Sequence, residues 1–283
     1  MKKTLIILLG LCCFFANAQK LDNALLWKIS GNGLKKPSYL FGTIHITCDA
    51  TLDKNVLNAL DATDQLYLEL DMDDPNMQAE MMSGIMMKDG VTMSSLLSAE
   101  DFKMVDEFVT ANTGMPLSLM NKFKPFLVTA MLYPKMLNCP PQSLEESLMA
   151  ETKKQNEEVY GLETFQEQFD VFDAIPYKDQ MQDLVNSAKD NMASDKEEFL
   201  KMLDMYNAKD LNKLYELINE SESKTTSHND VLLVNRNKNW IPKIEKTAKE
   251  KPTFFGVGAG HLAGENGVIL LLRKKGYIVE AVK

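Results

Sequence analysis

Ser38-Tyr39-Leu40-Phe41-Gly42-Thr43-Ile44-His45 near the start of the chain and Thr253-Phe254-Phe255-Gly256-Val257-Gly258-Ala259-Gly260-His261 near its end follow one plan. In each, an apolar run that reads as a strand leads through Gly-x-x-His into a loop. Only three histidines occur in 283 residues, so this pattern claims two of them. A histidine at the end of a buried strand lies on the edge where α/β folds bind ligands. Gly42 and Gly258, lacking a Cβ, let the backbone turn tightly there and come near a substrate. The residues flanking the two motifs do not match, so this is reuse of a geometry rather than a sequence repeat.

Outward from the first motif, Leu26 to Ser30 and Ser38 to Phe41 flank a glycine-bearing turn and predict an opening hairpin. A helix over Thr51 to Leu60 follows, with Thr51 as its cap and Leu52, Val56, Leu57 and Leu60 on one face. Leu66 to Asp71 alternates strictly, with Leu66, Leu68 and Leu70 on one side and Tyr67, Glu69 and Asp71 on the other. Glu158 to Glu163 predicts another short strand. Helical periods dominate Pro75 to Lys154 and Ile175 to Ile218, and Asn219 to Asn229 predicts a solvated loop carrying the third histidine, His228. A helix over Val231 to Lys249, one over 264–275 beyond the second motif, and a last strand Tyr277 to Val282 complete the reading.

Strands at both ends around a helical middle predict an α/β (α+β) fold. Its central mixed sheet is built from N- and C-terminal strands, and the helical middle flanks and caps it. No Pro/Gly/Ser-rich linker interrupts residues 19–283, which predicts a single domain.

Met1-Lys2-Lys3, an apolar run from Thr4 to Phe15, and Ala16-Asn17-Ala18 make residues 1–18 a signal peptide cut after Ala18. Cys12 and Cys13 do not make a lipobox, because Leu11 and Cys12 stand where a small residue is needed. The predicted location is periplasmic or secreted, with no membrane span after the leader is removed. Lys2 and Lys3 leave with the leader, so 40 acidic residues outweigh the remaining basic ones and nucleic acid is excluded as a partner. Cys48 and Cys139 can pair in an oxidising compartment or stand as two buried thiols; Cys48, three residues after His45, is also a conceivable ligand.

If the two strands are neighbours, His45 and His261 emerge side by side, and Glu69 completes a set of two histidines and a carboxylate. Such a set holds a divalent cation, manganese, cobalt or zinc, and leaves positions open for water and substrate. A lone histidine at a strand end is more often a hydrogen-bonding residue, and a lone carboxylate on an alternating strand is more often solvent-facing. Arg236 and Arg273 are the only arginines among 31 basic residues. Arg236 is the candidate clamp for an oxyanion, whereas Arg273 suits the last turn of its helix. Glu265, four residues after His261, is a reserve base. Met77, Met81, Met82, Met86, Met87 and Met93 have helical spacing and predict an adaptable apolar face rather than a soft-metal site.

Taken in order, Leu26 to Ser30, Tyr39 to His45, Glu69-Leu70-Asp71, Gly161-Leu162-Glu163-Thr164, Arg236-Asn237 with Trp240, and Val257 to Leu262 with Gly264 and Gly267-Val268 resemble the TraB/GumN family, which includes the Tiki proteases. The resemblance spans nearly the whole chain after the leader. It implies a fold related to erythromycin-esterase and ChaN-like proteins and, for the Tiki branch, a manganese- or cobalt-dependent metallopeptidase. It further implies His45, His261 and Glu69 as metal ligands, Glu69, Arg236 and Glu163 as catalytic residues, and Gly42, Gly258 and Asn237 around a peptide or small-molecule substrate, beside which the spacing from His261 places Glu265. Glu145 stands where many members have Asp. Two other readings use the same cleft: a metal-independent esterase-like hydrolase working through His and Glu, and a non-catalytic exported factor that binds a peptide or haem.

Overall fold

The computed structural model describes residues 20–283, so the expected leader and its cleavage after Ala18 lie outside the described residues. Six strands form one mixed sheet: β1 (Leu26–Gly31), β2 (Ser38–Thr43), β3 (Leu66–Leu68), β4 (Val159–Gly161), β5 (Phe254–Gly258) and β6 (Tyr277–Ala281). Their order across the sheet is β4-β3-β5-β2-β1-β6. β1 is antiparallel to both β2 and β6, while β2, β5, β3 and β4 run parallel. The C-terminal strand β5 thus enters between two N-terminal strands and pairs with both. Its Phe254, Phe255 and Val257 are fully buried, as a central parallel strand covered on both faces requires. Each such large apolar side chain contributes about 1.5–3 kcal/mol by leaving water.

The hairpin, the helical middle and the final strand follow the sequence pattern, and the α/β class holds. Local differences have local causes. The first helix runs Lys54–Asp61 rather than from Thr51, because Asp53 caps it by accepting the Val56 N–H at 3.0 Å. β3 stops at Leu68, and β4 at Gly161, so Glu69 and Glu163 stand just beyond the strand ends. A Cβ on Gly161 would lie 2.7 Å from both Asp71 N and Glu163 O, so only glycine fits where these two strand ends close on each other. The stretch before Arg236 is a π-helical turn, Asp230–Asn235, followed by the α-helix Arg236–Glu250. The loop carrying His228 is tied down: His228 Nε2 lies 3.0 Å from Asp179 Oδ2, and Asp183 accepts from Ser223, Lys224 and Thr225. The methionine face splits, with Met87 and Met93 buried and Met81, Met82 and Met86 exposed. Among the described residues, no helix is long and apolar enough to cross a membrane.

Outside the sheet, a buried ion pair locks the helical cap. Lys124 Nζ lies 2.9 Å from Asp173 Oδ1 and donates to Met86 O, while Tyr177 and Lys88 also engage the Asp173 carboxylate. Burial pushes the Asp173 carboxyl up, but the Tyr177 hydroxyl and the two lysines outweigh it and hold it below its ordinary value. A depressed carboxyl contributes stability above the ordinary carboxylate range and loses it as pH falls through the lowered value. Asp173→Asn leaves Lys124 buried without a counter-charge and is expected to cost about 3–5 kcal/mol in urea unfolding at neutral pH. That difference should shrink as the pH is taken down to about 3.

Candidate active site

The carboxyl ends of the four parallel strands carry the motif residues to one edge of the sheet. β2 and β5 pair with Gly42 opposite Val257 and Thr43 opposite Gly258, so the two Gly-x-x-His segments leave the sheet side by side. β3 lies against the other side of β5 and delivers Glu69; β4 lies beyond it and delivers Glu163. Gly258 is the meeting point. A Cβ there would stand 3.2 Å from Glu69 Oε1, 3.7 Å from His261 Cδ2 and 3.7 Å from His45 Nε2. The bare backbone also uses its N–H, which donates to Glu69 Oε1 at 2.8 Å. Gly42 has another function: a Cβ on it would press within 3.2 Å of Ala259 and Leu262, so it lets one motif pack on the other.

Each histidine is anchored through Nδ1. His261 sits at the end of a short 3-10 turn, Ala259–His261, and is buried. Its Nδ1–H donates to Asn237 Oδ1 at 2.6 Å, and the Asn237 amide donates back to His261 O and Asn266 O. The Arg236 Nη1–H donates to its Nε2 at 3.1 Å, which fixes the neutral tautomer. Burial, and then the Arg236 charge, outweigh Glu69 and lower His261 to about 3. His45 keeps 68 % of its side-chain surface open, and its Nδ1 lies 2.7 Å from Glu145 Oε1. The surrounding protein works against charge on this ring; the Glu145 carboxylate works for it, prevails, and raises His45 to about 9.

Glu145 is in the first turn of the helix Leu144–Gln155, where the helix N-terminus favours a negative charge, and Ser143 Oγ donates to its other oxygen at 2.9 Å. Burial raises Glu145, but its bond to His45 overrides this and draws it below its usual value. The loop of His45 is fastened to this helix. Cys48 and Cys139 form a disulfide, which removes Cys48 as a thiolate ligand. Thr47 and Gln142 exchange backbone hydrogen bonds, and the Gln142 side chain bonds Cys48 O and Ala50 N.

Arg236 holds the other half together. Nη2 donates to Glu69 Oε2 and to Glu163 Oε1, each at 2.5 Å, Nε donates to Glu163, and the guanidinium lies 4.8 Å over the Trp240 ring. Burial pushes Glu69 up, yet Arg236 and the two histidines hold it far below the carboxylate range. Glu163 is raised by burial against the pull of Arg236, while accepting also from Trp240 Nε1 and Gln168 Nε2. Trp240 follows Arg236 by four residues and Asn237 by three, so the three share a face of the helix, from which they grip Glu163 and His261.

The structure therefore brings together His45, His261, Glu69, Glu163, Arg236, Asn237 and Gly258. Glu265 stands apart: it is exposed, and its backbone carbonyl accepts from Lys274. Sequence reasoning passed over Trp240 as a site residue and left Glu145 in question. Besides its place where many family members have Asp, the signal for Glu145 is a serine cap setting a carboxylate at the start of a helix. Among the described residues, no group of three His, Cys, Asp or Glu side chains is set to hold a metal ion as it stands.

Two outcomes follow for stability. Arg236→Ala leaves Glu69 and Glu163 buried without their cation and is expected to lower unfolding stability by about 3–5 kcal/mol, while Arg236→Lys should lose less because it keeps the charge. Replacing both Cys48 and Cys139 by alanine is expected to cost about 2–4 kcal/mol in denaturant and to speed hydrogen exchange over residues 44–50 before the rest of the sheet opens.

None of the curated proteins and none of the solved structures matches this chain. The TraB/PrgY/gumN family model matches residues 25–281, from the start of the first strand to the end of the last. With the motifs at the ends of adjacent strands and the match running across the whole domain, the chain belongs to the TraB/PrgY/gumN family.

Proposed function

We propose that the chain is an exported hydrolase that cleaves a peptide, or a small amide or ester, with a divalent cation held by His45, His261 and Glu69. One observation carries this reading: both imidazoles are tied through Nδ1 to oxygen acceptors, and His45 Nε2, the His261 ring and Glu69 Oε1 surround a single point beside Gly258. An acceptor on the far nitrogen orients a ligating imidazole and raises its basicity. Two imidazole nitrogens and a carboxylate are a donor set that manganese, cobalt and zinc accept. As they stand these side chains form no ion site; they would hold the ion only with Arg236 Nη1 released from His261 Nε2. When bound, such an ion supplies a water of lowered pKa and polarises the scissile carbonyl.

The rest of the chemistry falls to the chain. Glu69, kept ionised by Arg236 and by the Gly258 N–H, is a ligand or takes a proton from the attacking water. Arg236 is placed to steady negative charge that develops on the carbonyl oxygen. Glu145 aims His45, and Asn237 with Trp240 fixes the His261 ring, which lies 4.5 Å from that of Trp240. Export is supported by the leader-like start of the sequence and by the disulfide, which suits an oxidising compartment.

A second reading uses the His45–Glu145 pair without a metal, as an acid–base couple acting on water; it is favoured by the openness of the His45 ring and its 2.7 Å bond. A peptide and ester library offered to residues 19–283, with and without manganese, cobalt or zinc, separates the two. The cation reading expects turnover that a chelator abolishes and metal restores. It expects a loss of about 100-fold or more in His45→Ala and of about 10- to 100-fold in Glu145→Gln. Chelator-resistant turnover moves the function to the second reading, and no turnover under any condition removes both.

A further inference from the structure

The acceptor nitrogen of His261 can serve one partner at a time. Its Nδ1–H is committed to Asn237 Oδ1, and its Nε2 accepts the Arg236 Nη1–H at 3.1 Å. A neutral imidazole offers a single lone pair, so an N–H donor and a metal ion cannot share it. The guanidinium is as fully engaged as the ring. Nε donates to Glu163, Nη1 to Leu232 O and His261 Nε2, and Nη2 to Glu69 Oε2 and Glu163 Oε1, so all five N–H groups meet acceptors. Its charge also rests on two buried carboxylates, Glu69 and Glu163, that would otherwise face each other uncompensated.

We propose that Arg236 and a divalent cation are alternative partners of His261 Nε2, so that cation binding is coupled to release of Arg236 from that nitrogen, while Glu69 Oε2 keeps its bond to Arg236. The inference rests on the cation reading of the site. Coupling of this kind is reciprocal: whatever Arg236 contributes to holding His261 Nε2 is lost from cation affinity. The backbone before Arg236 is the place for such an exchange. Leu232, whose carbonyl accepts from Nη1, lies in the π-helical turn Asp230–Asn235, an irregularity that recurs at functional sites. Glu163 and Trp240 keep a hold on the guanidinium from the other side, so Arg236 moves within the site and does not leave it.

Trp240 reports the exchange directly. Its ring lies 4.8 Å from the guanidinium and 4.5 Å from the His261 ring, and its Nε1–H donates to Glu163. The other tryptophan, Trp27, donates instead to Ala24 O in the opening hairpin and serves as an internal reference. Zinc titrated into uniformly 15N-labelled residues 19–283 should shift the Trp240 indole signal and leave that of Trp27 in place. By calorimetry, Arg236→Gln should bind zinc at least about tenfold more tightly than the parent. Should Arg236→Gln not fold, Arg236→Lys, which keeps the charge and loses the fork, should tighten binding in the same direction by less. Zinc that binds parent and variant equally and leaves the Trp240 signal unmoved overturns the competition alone. Failure of parent and variant alike to bind zinc, manganese or cobalt overturns the cation reading, and the competition with it.

Discussion

The pairing of β5 with β2 on one side and β3 on the other governs everything above the sheet. Parallel neighbours end on the same edge, so three strands drawn from both ends of the chain deliver His45, Glu69 and His261 to adjacent positions without any loop having to reach. Closeness of backbone is what makes this possible. Gly42 lets the two motifs pack against each other, and Gly258 leaves room for three side chains around one Cα.

A second constraint follows from burial. Glu69, Glu163 and His261 are all buried, and two of them are acids. Carboxylates out of water need a counter-charge with good geometry, and the planar fork of Arg236 answers both at once while stacking on Trp240. The site is thereby divided: a buried, densely hydrogen-bonded half around Arg236, and an open half where His45 and Glu145 meet. The disulfide and the Thr47–Gln142 bridge brace that open half from outside, adding to the core packing of Ile44 and Leu144.

Much of this could be read from the chain itself. Strict alternation at Leu66 to Asp71, the two apolar runs before Gly-x-x-His, and a helical middle predicted the class, and made the meeting of His45, His261 and Glu69 conditional on the two motif strands being neighbours. The neighbour order of the strands could not be read, because periodicity reports the face of a strand and says nothing of its partner. Glu145 and Trp240 escaped for the same reason: each acts across a gap of at least 77 residues in sequence, Trp240 on Glu163 and Glu145 on His45. Arg236 was singled out by composition, since an arginine among lysines marks a place needing a fork, yet four of its five acceptor atoms, on Glu69, Glu163 and His261, come from elements that no local pattern joins. Glu265 shows the converse, a carboxylate at helical spacing from His261 whose segment is a turn, so that the spacing carries no proximity.

The central claim is that His45 and His261, far apart in sequence, serve one ion. Metal content of residues 19–283 after loading with manganese or zinc and desalting tests it most directly, beside the His45→Ala and His261→Ala chains. The account predicts about one ion per chain in the parent and loss of most of it in either variant. A metal content unchanged by both substitutions would contradict the account.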